Sequence, residues 1–156
     1  MKNTIKAIIV DDEKHALDAL ERALSRHKNI EIIARCNNGR EAIQAVNELK
    51  PDLMFLDIQM PQLDGFNVLE LLGDDTPHLI FVTAYDEFAL KAFEKNAIDY
   101  LLKPLCPQRL ETAIDKVARL IRGSEIPSSE LKQLGEHKPG PIDRVLVRDG
   151  GEVTII

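Results

Sequence analysis

The chain has 156 residues, of which 44% are hydrophobic and 29% charged, a composition that predicts a folded domain with a substantial core. Its formal net charge of −6 argues against nucleic-acid binding through a broad basic surface. No apolar run approaches the roughly 20 residues that a membrane helix needs. The short apolar stretch near the N-terminus is followed at once by acids, unlike a signal peptide, so we expect a cytoplasmic protein with no membrane partner.

Buried-strand patterns alternate with helical periodicity along most of the chain. The predicted strands are 5–10, 30–34, 53–56, 79–82 and 100–102. The predicted helices cover about 13–27, 42–49, 66–73, 88–95 and 107–122. In the fourth helix, we expect Leu90, Ala92 and Phe93 to face the core. This alternation over short loops predicts an α/β, flavodoxin-like fold: a doubly wound parallel sheet in the strand order 2-1-3-4-5.

The composition changes after this first predicted domain, which we place at residues 1–122. Residues 123–141 are rich in Pro, Gly and Ser, which indicates a linker. Residues 144–148 and 152–156 then alternate apolar and polar side chains around a Gly-Gly turn, the pattern of a β-hairpin. Because two strands cannot bury a core by themselves, we interpret 142–156 as the truncated start of a β-rich second domain.

Polar side chains stand where four of the predicted strands end. They are Asp11 and Asp12 after the first strand, Asp57 after the third, Thr83 after the fourth and Lys103 after the fifth. In a doubly wound sheet these ends line one crevice, which is where such folds bind ligands. Asp57 by itself could simply cap a helix or begin a turn. Caps and surface charges do not explain polar residues at all of these strand ends.

The residue types at these positions indicate phosphoryl chemistry with a metal ion. Carboxylates that lie this close raise each other's pKa unless a cation joins them, and hard oxygen ligands suit Mg²⁺. We therefore predict Mg²⁺ binding at Asp11, Asp12 and Asp57. A lysine and a hydroxyl beside such a site supply the charge and the hydrogen bond that a phosphoryl group needs, which assigns Thr83 and Lys103 as its contacts.

The motifs that carry this site resemble the receiver domain of two-component response regulators. These motifs are Asp11-Asp12, Asp57-Ile-Gln-Met-Pro-x-x-Asp-Gly, Thr83-Ala84 and Lys103-Pro104. The resemblance covers residues from about 5 to 122. The resemblance implies that Asp57 accepts a phosphoryl group from a sensor histidine kinase. It also implies that Asp12, Asp57 and the Gln59 carbonyl bind Mg²⁺, with Asp11 acting partly through water. The chain would then be a self-phosphorylating switch and not a conventional enzyme.

The resemblance also implies a conformational switch at Thr83 and Tyr100. Tyr100 matches the aromatic residue that changes rotamer when Thr83 moves toward the phosphoryl group. By itself, Tyr100 is nearly as well explained by packing on the core. After phosphorylation, the face built from the fourth helix, the fifth strand and the fifth helix is expected to pair with a second copy.

Two further positions are expected to set the lifetime of the phosphorylated form. In the family that the chain resembles, Gln59 and Tyr85 would flank the path of the hydrolytic water. A neutral amide and a bulky phenol at these positions predict slow dephosphorylation, because the phosphoryl group is shielded from water. The alternative is that Tyr85 points to solvent and packs only on the fourth helix.

The stretches 83–90 and 98–104 resemble regulators of the LytR/AlgR type, whose output module is a DNA-binding LytTR domain. The hairpin pattern at 144–156 resembles the opening of that domain. We therefore expect transcription to be controlled through a missing C-terminal domain and not through this fragment. Two alternatives stay open: a stand-alone receiver that acts by protein–protein contact, and a metal-dependent phosphatase with an Asp nucleophile. Such a phosphatase generally needs a second Asp where this chain has Gln59, and a cap over its substrate.

Overall fold

The computed structural model describes residues 4–121, which form a five-stranded parallel sheet in the order β2-β1-β3-β4-β5. The strands are β1 Ile5–Val10, β2 Ile30–Cys36, β3 Leu53–Leu56, β4 His78–Thr83 and β5 Asp99–Leu102. The helices are α1 Lys14–Leu24, α2 Gly39–Leu49, α3 Gly65–Leu72, α4 Ala89–Glu94 and α5 Pro107–Ile121, and a 3₁₀ turn at Gly73–Asp75 follows α3. The predicted fold class and strand order are confirmed. The predicted linker at 123–141 and the hairpin at 142–156 lie outside the described residues.

The central strands are buried because helices cover both faces of the sheet. In β3, Leu53 and Phe55 pack with α1 and α5, whereas Met54 and Leu56 pack with α2, α3 and α4. All four side chains are fully buried. Burial of each is worth about 1.5–3 kcal/mol, so the uninterrupted apolar run of β3 fixes the centre of the domain.

Polar side chains fix where α2 and α3 begin. Asn38 caps α2 by accepting a 2.8 Å hydrogen bond from the N–H of Glu41. Asp64 and Asn67 cap α3 reciprocally, each side chain accepting from the main-chain N–H of the other residue, at 2.8 and 3.0 Å. Each cap is worth about 1 kcal/mol. The Asp64–Asn67 cap holds the end of the loop after β3 in place, and that loop begins at Asp57 of the site.

The structure corrects the prediction for α4. Ala92 is buried as expected, but Leu90 and Phe93 are 74% and 61% exposed. The helix has six residues, and it packs through Ala92 together with Phe88, the residue just before it, which lies four positions earlier and so shares one face with Ala92. Leu90 and Phe93 project on the other face. None of the helices within residues 4–121 is long and apolar enough to cross a membrane.

Candidate functional site

Two adjacent strands bring the predicted carboxylates together. β1 and β3 pair with Val10 opposite Leu56, so Asp11 and Asp57 emerge side by side, and the N–H of Asp57 donates to the Val10 carbonyl at 3.0 Å. Asp11, Asp12 and Asp57 each offer a carboxylate oxygen, and these three atoms all lie within 4.8 Å of one another. Asp11 and Asp57 are buried whereas Asp12 is exposed, so the cluster opens to solvent on the side of Asp12.

Lys103 reaches into this cluster from the end of β5. Its Nζ lies 2.5 Å from Asp11 Oδ2 and 3.3 Å from Asp57 Oδ2. Its main-chain N–H donates to the Thr83 carbonyl at 2.8 Å, and the Lys103–Pro104 peptide bond is cis. Burial lowers the pKa of Lys103, but the hydrogen bond to Asp11 and the charge of Asp57 outweigh it and hold this pKa above its ordinary value. The side chain is therefore an ammonium at neutral pH.

One ammonium does not neutralise three carboxylates. Burial raises the pKa of Asp57, and the charge of Asp11 raises it further, against the opposing effects of Lys103 and a 2.7 Å hydrogen bond from the Ile58 N–H. The pKa of Asp12 is also raised, by partial desolvation of its carboxylate and by the charges of Asp11 and Glu13. A cluster of hard oxygen donors with excess negative charge and one exposed side fits a divalent cation such as Mg²⁺ that retains some of its water.

Gly65 packs against the main chain of Asp57, a contact that the sequence did not predict. Its N–H donates to the Ile58 carbonyl at 2.8 Å. A Cβ at this position would lie 2.6 Å from the main-chain oxygen of Asp57, closer than any real contact. The backbone at Asp57 therefore requires glycine at position 65. The Asp-Gly pair of the motif was the available signal, but it indicates a helix start equally well.

Thr83, Tyr85 and Tyr100 are joined by main-chain contacts. Thr83 is fully buried at the end of β4, and its hydroxyl accepts from the N–H of Tyr85 at 3.4 Å. The hydroxyl of Tyr100 donates to the carbonyl of Tyr85. The ring of Tyr100 is half-buried and packs on Phe81, with 6.2 Å between ring centroids. A movement at Thr83 would thus reach Tyr100 through one intervening residue.

The two residues expected to set the lifetime are both exposed to solvent. Gln59 is exposed, and Tyr85 is 45% exposed. The ring of Tyr85 meets Phe88 edge-on, with 6.3 Å between ring centroids, just before α4. In this structure the phenol therefore packs at the start of α4, as the alternative interpretation has it.

Asp99 is a buried carboxylate that the sequence analysis passed over. It is 5% exposed and is bound by Arg109 and Lys116, both from α5. Burial raises the pKa of Asp99, but the hydrogen bonds from Arg109 and the charge of Lys116 outweigh this and hold it below its ordinary value. The signal was the spacing of the two cations: seven residues apart, they share one face of a helix.

A five-stranded sheet whose carboxyl edge gathers three aspartates, a threonine and a lysine defines a class of signalling domain. Residues 7–115 match the model of the response regulator receiver domain, and the chain belongs to this family.

The chain is similar to named response regulators in sequence. It is 48% identical over 116 residues to an uncharacterized response regulatory protein of Yersinia pestis, covering 74% of this chain and 49% of that protein. It is 46% identical over 114 residues to the transcriptional regulatory protein BtsR of Escherichia coli K12, covering 72% of this chain and 48% of that protein. The chain therefore spans about half the length of the curated relatives it matches.

The chain is also similar to solved structures of response regulator domains. The response regulatory domain of protein mrkE from Klebsiella pneumoniae is 32% identical, with a TM-score of 0.70, over 77% of this chain and 100% of that one. The REC domain of AraT, a response regulator from Geobacillus stearothermophilus, is 31% identical with a TM-score of 0.70, over 77% and 97% of the two chains.

We predict that Asp57→Asn stabilises the metal-free domain at neutral pH. Folding raises the pKa of Asp57, so its ionised form costs folding free energy. The stability advantage of the variant should be absent below the unfolded-state pKa and should grow as the pH rises through the higher folded-state pKa. Urea denaturation in EDTA across this range measures it. Saturating Mg²⁺ should remove the advantage, and an advantage independent of pH would contradict the assignment.

Proposed function

We propose that the chain is the phosphoacceptor part of a two-component response regulator, with Asp57 receiving a phosphoryl group from a sensor histidine kinase. The observation that carries this proposal is the position of Asp57: buried, beside Asp11 and Asp12, and 3.3 Å from the ammonium of Lys103. A carboxylate in this setting combines a nucleophile with the groups that neutralise phosphoryl oxygens.

The residues divide the transfer among them. Asp11, Asp12, Asp57 and the Gln59 carbonyl would hold Mg²⁺, which when bound neutralises charge on the phosphoryl oxygens. A carboxylate oxygen of Asp57 attacks phosphorus, a P–O bond forms as the P–N bond of a phosphohistidine breaks, and the imidazole nitrogen leaves with the electron pair. Lys103 is already protonated and needs only to turn from the carboxylates to a phosphoryl oxygen.

This chemistry makes the domain a switch. The phosphatase alternative is disfavoured because the position two residues after Asp57 holds Gln59, a neutral amide that cannot act as a general acid or base. Hydrolysis of the aspartyl phosphate is then limited to slow attack by water. The domain catalyses its own phosphorylation and dephosphorylation and does not turn over a separate substrate.

We predict that acetyl phosphate with Mg²⁺ adds one phosphoryl group to the wild-type chain, measured by intact-mass spectrometry. Asp57→Ala should gain none, because the nucleophile is gone. Asp12→Asn should gain far less at equal Mg²⁺ while remaining folded, since it removes a metal ligand and relieves repulsion. Arg35→Gln, which breaks exposed ion pairs between β2 and α1 and leaves the carboxylate cluster intact, is the control that should react normally. An Asp57→Ala variant that still gains one phosphoryl group would refute the site.

Phosphorylation is proposed to act through Thr83 on the α4 region. A phosphoryl oxygen would take the Thr83 hydroxyl as donor, and the loop that carries Tyr85 would follow because its N–H already bonds that hydroxyl. Tyr100 senses this loop through its hydrogen bond to the Tyr85 carbonyl. Leu90, Phe93 and Leu102, which are 74%, 61% and 45% exposed, give the α4–β5 side an apolar surface suited to a second copy.

We predict that Thr83→Ala is phosphorylated on Asp57 but dimerises poorly. The substitution leaves the nucleophile and Lys103 in place and removes the group that links the phosphoryl oxygen to the loop. Sedimentation velocity before and after acetyl phosphate measures the monomer–dimer ratio, and mass spectrometry of the same samples confirms equal phosphorylation. Wild-type dimerisation by phosphorylated Thr83→Ala would show that the signal takes another route.

The lifetime of the phosphorylated form is proposed to depend on Gln59 and Tyr85. If the Tyr85 ring swings from Phe88 over the phosphoryl group, it excludes the in-line water. We predict that the phosphate is lost faster from Tyr85→Ala than from wild type at unchanged Mg²⁺ affinity, measured as the decay of the added mass. Tyr85→Phe keeps the ring and should decay as wild type does. Equal decay in Tyr85→Ala would favour packing on α4 as the only role of the ring.

The proposed output is transcriptional. The division into a receiver at 1–122, a linker at 123–141 and the start of a LytTR-type DNA-binding domain at 142–156 is supported by composition and by the hairpin pattern. It also agrees with the name of the E. coli relative, a transcriptional regulatory protein of which this chain covers 48%. DNA binding by a chain of the relatives' length that is lost on truncation to residues 1–122 would separate this role from that of a stand-alone receiver.

A further inference from the structure

The main chain of Tyr100 lies at the edge of the sheet and is bonded by side chains. β5 is the last strand in the order, and β4 is its one neighbour among the described strands. The N–H of Tyr100 donates to Asp99 Oδ1 at 2.8 Å, and its carbonyl accepts from Arg109 Nη2 at 3.4 Å. An exposed edge would normally leave such groups to water or to another strand. Here one ion pair occupies both.

The ion pair between Asp99 and Arg109 lies on one face of β5, and the ring of Tyr100 lies on the other face. Successive side chains of a strand point to opposite faces, so Asp99 faces α5 while Tyr100 packs with the α4 side of the core. Asp99 accepts from Arg109 at 2.8 and 3.3 Å and from Lys116 at 3.2 Å. Arg109 contacts both the carboxylate and the main chain of Tyr100, whereas the bond of Lys116 is to the carboxylate.

The two faces hold the two parts of Tyr100 with different strength. On the α5 side, charge-assisted hydrogen bonds fix the main chain. On the α4 side, the ring has its packing on Phe81 and one hydrogen bond to the Tyr85 carbonyl. A hydrogen bond from a phenol depends steeply on distance and angle, so the ring can follow Tyr85 faithfully only if its own attachment point is fixed.

We propose that Asp99 and Arg109 are positioning residues for Tyr100: they clamp its main chain so that the state of Asp57 is transmitted to the ring alone. This inference rests on the proposed phosphoacceptor function, and it adds a role for a buried carboxylate that takes no part in phosphoryl transfer. A simpler role for the same ion pairs would be to attach α5 to β5. Lys116 separates the two, because its bond can attach α5 but does not touch the main chain of Tyr100.

The sequence provides a clean reporter. The chain contains two tyrosines, Tyr85 and Tyr100, and both belong to the contact under test. The full chain labelled with 3-fluorotyrosine should therefore give two fluorine resonances, assigned with Tyr85→Phe. Beryllium fluoride with Mg²⁺ serves as the probe, as a stable mimic of the phosphoryl group on Asp57. Amide hydrogen exchange at Tyr100 supplies a second readout that reports on the main chain.

The clamp predicts a specific order among the variants. In wild type the Tyr100 resonance should move on addition of the fluoride. In Arg109→Gln, loss of the hydrogen bonds to Asp99 and to the Tyr100 carbonyl should lower the fluoride-driven population ratio of the two ring positions at least about fivefold and speed exchange of the Tyr100 amide by a similar factor. Lys116→Gln should respond as wild type does. Arg35→Gln, which breaks exposed arginine–carboxylate pairs at β2, should also respond normally.

Two other outcomes for Arg109→Gln would refute the clamp. A wild-type ring response and amide exchange in Arg109→Gln would refute the clamp. Equal losses in Arg109→Gln and Lys116→Gln would refute it too, because attachment of α5 would then explain the effect. Asp57 should gain its phosphoryl mass in Arg109→Gln as in wild type. If wild type itself gains no mass, the phosphoacceptor function fails. If wild type gains mass but Arg109→Gln behaves as wild type does, only the clamp fails, so the two failures are distinguishable.

Discussion

Mutual repulsion among carboxylates, held in check by one lysine, is the constraint on which the rest of this domain depends. Asp11 and Asp57 are buried within reach of each other, and Lys103 bridges them at 2.5 and 3.3 Å. Lys103 leaves the cluster with excess negative charge. The fold tolerates that cost because the backbone around Asp57 is held by Gly65 and by hydrogen bonds, so the charges cannot simply move apart.

The same constraint makes the site responsive. In the proposed function, a cation or a phosphoryl group at this edge would change the partners of Lys103 and Thr83, which stand at the ends of β5 and β4. Thr83 is linked to Tyr85, and Tyr85 to Tyr100. The carboxyl edge of the sheet and the α4 side of the domain are thereby connected through two hydrogen bonds.

Much of this arrangement could be predicted from the sequence, because strands buried on both faces read as continuous apolar runs and their ends are marked by abrupt changes to polar residues. The fold class, the strand order and the convergence of Asp11, Asp57 and Lys103 follow from that pattern and from the rule that ligands bind at the switch point. Burial in α4 was less predictable. A six-residue helix offers too few turns for periodicity to tell which face is inward, so Leu90 and Phe93 were wrongly placed in the core.

The sequence by itself determined which strands form, where they end and which charged residues stand at those ends, since local patterns of two and 3.6 residues encode these features directly. The tertiary structure alone decided the contacts made across distance. Asp99 looks like an ordinary loop acid until α5 brings Arg109 and Lys116 over it, and Gly65 looks like a helix start until its Cα is seen against the Asp57 carbonyl. Such contacts depend on how the elements pack, and the periodicity of one helix or strand does not show which residues of another element will contact it.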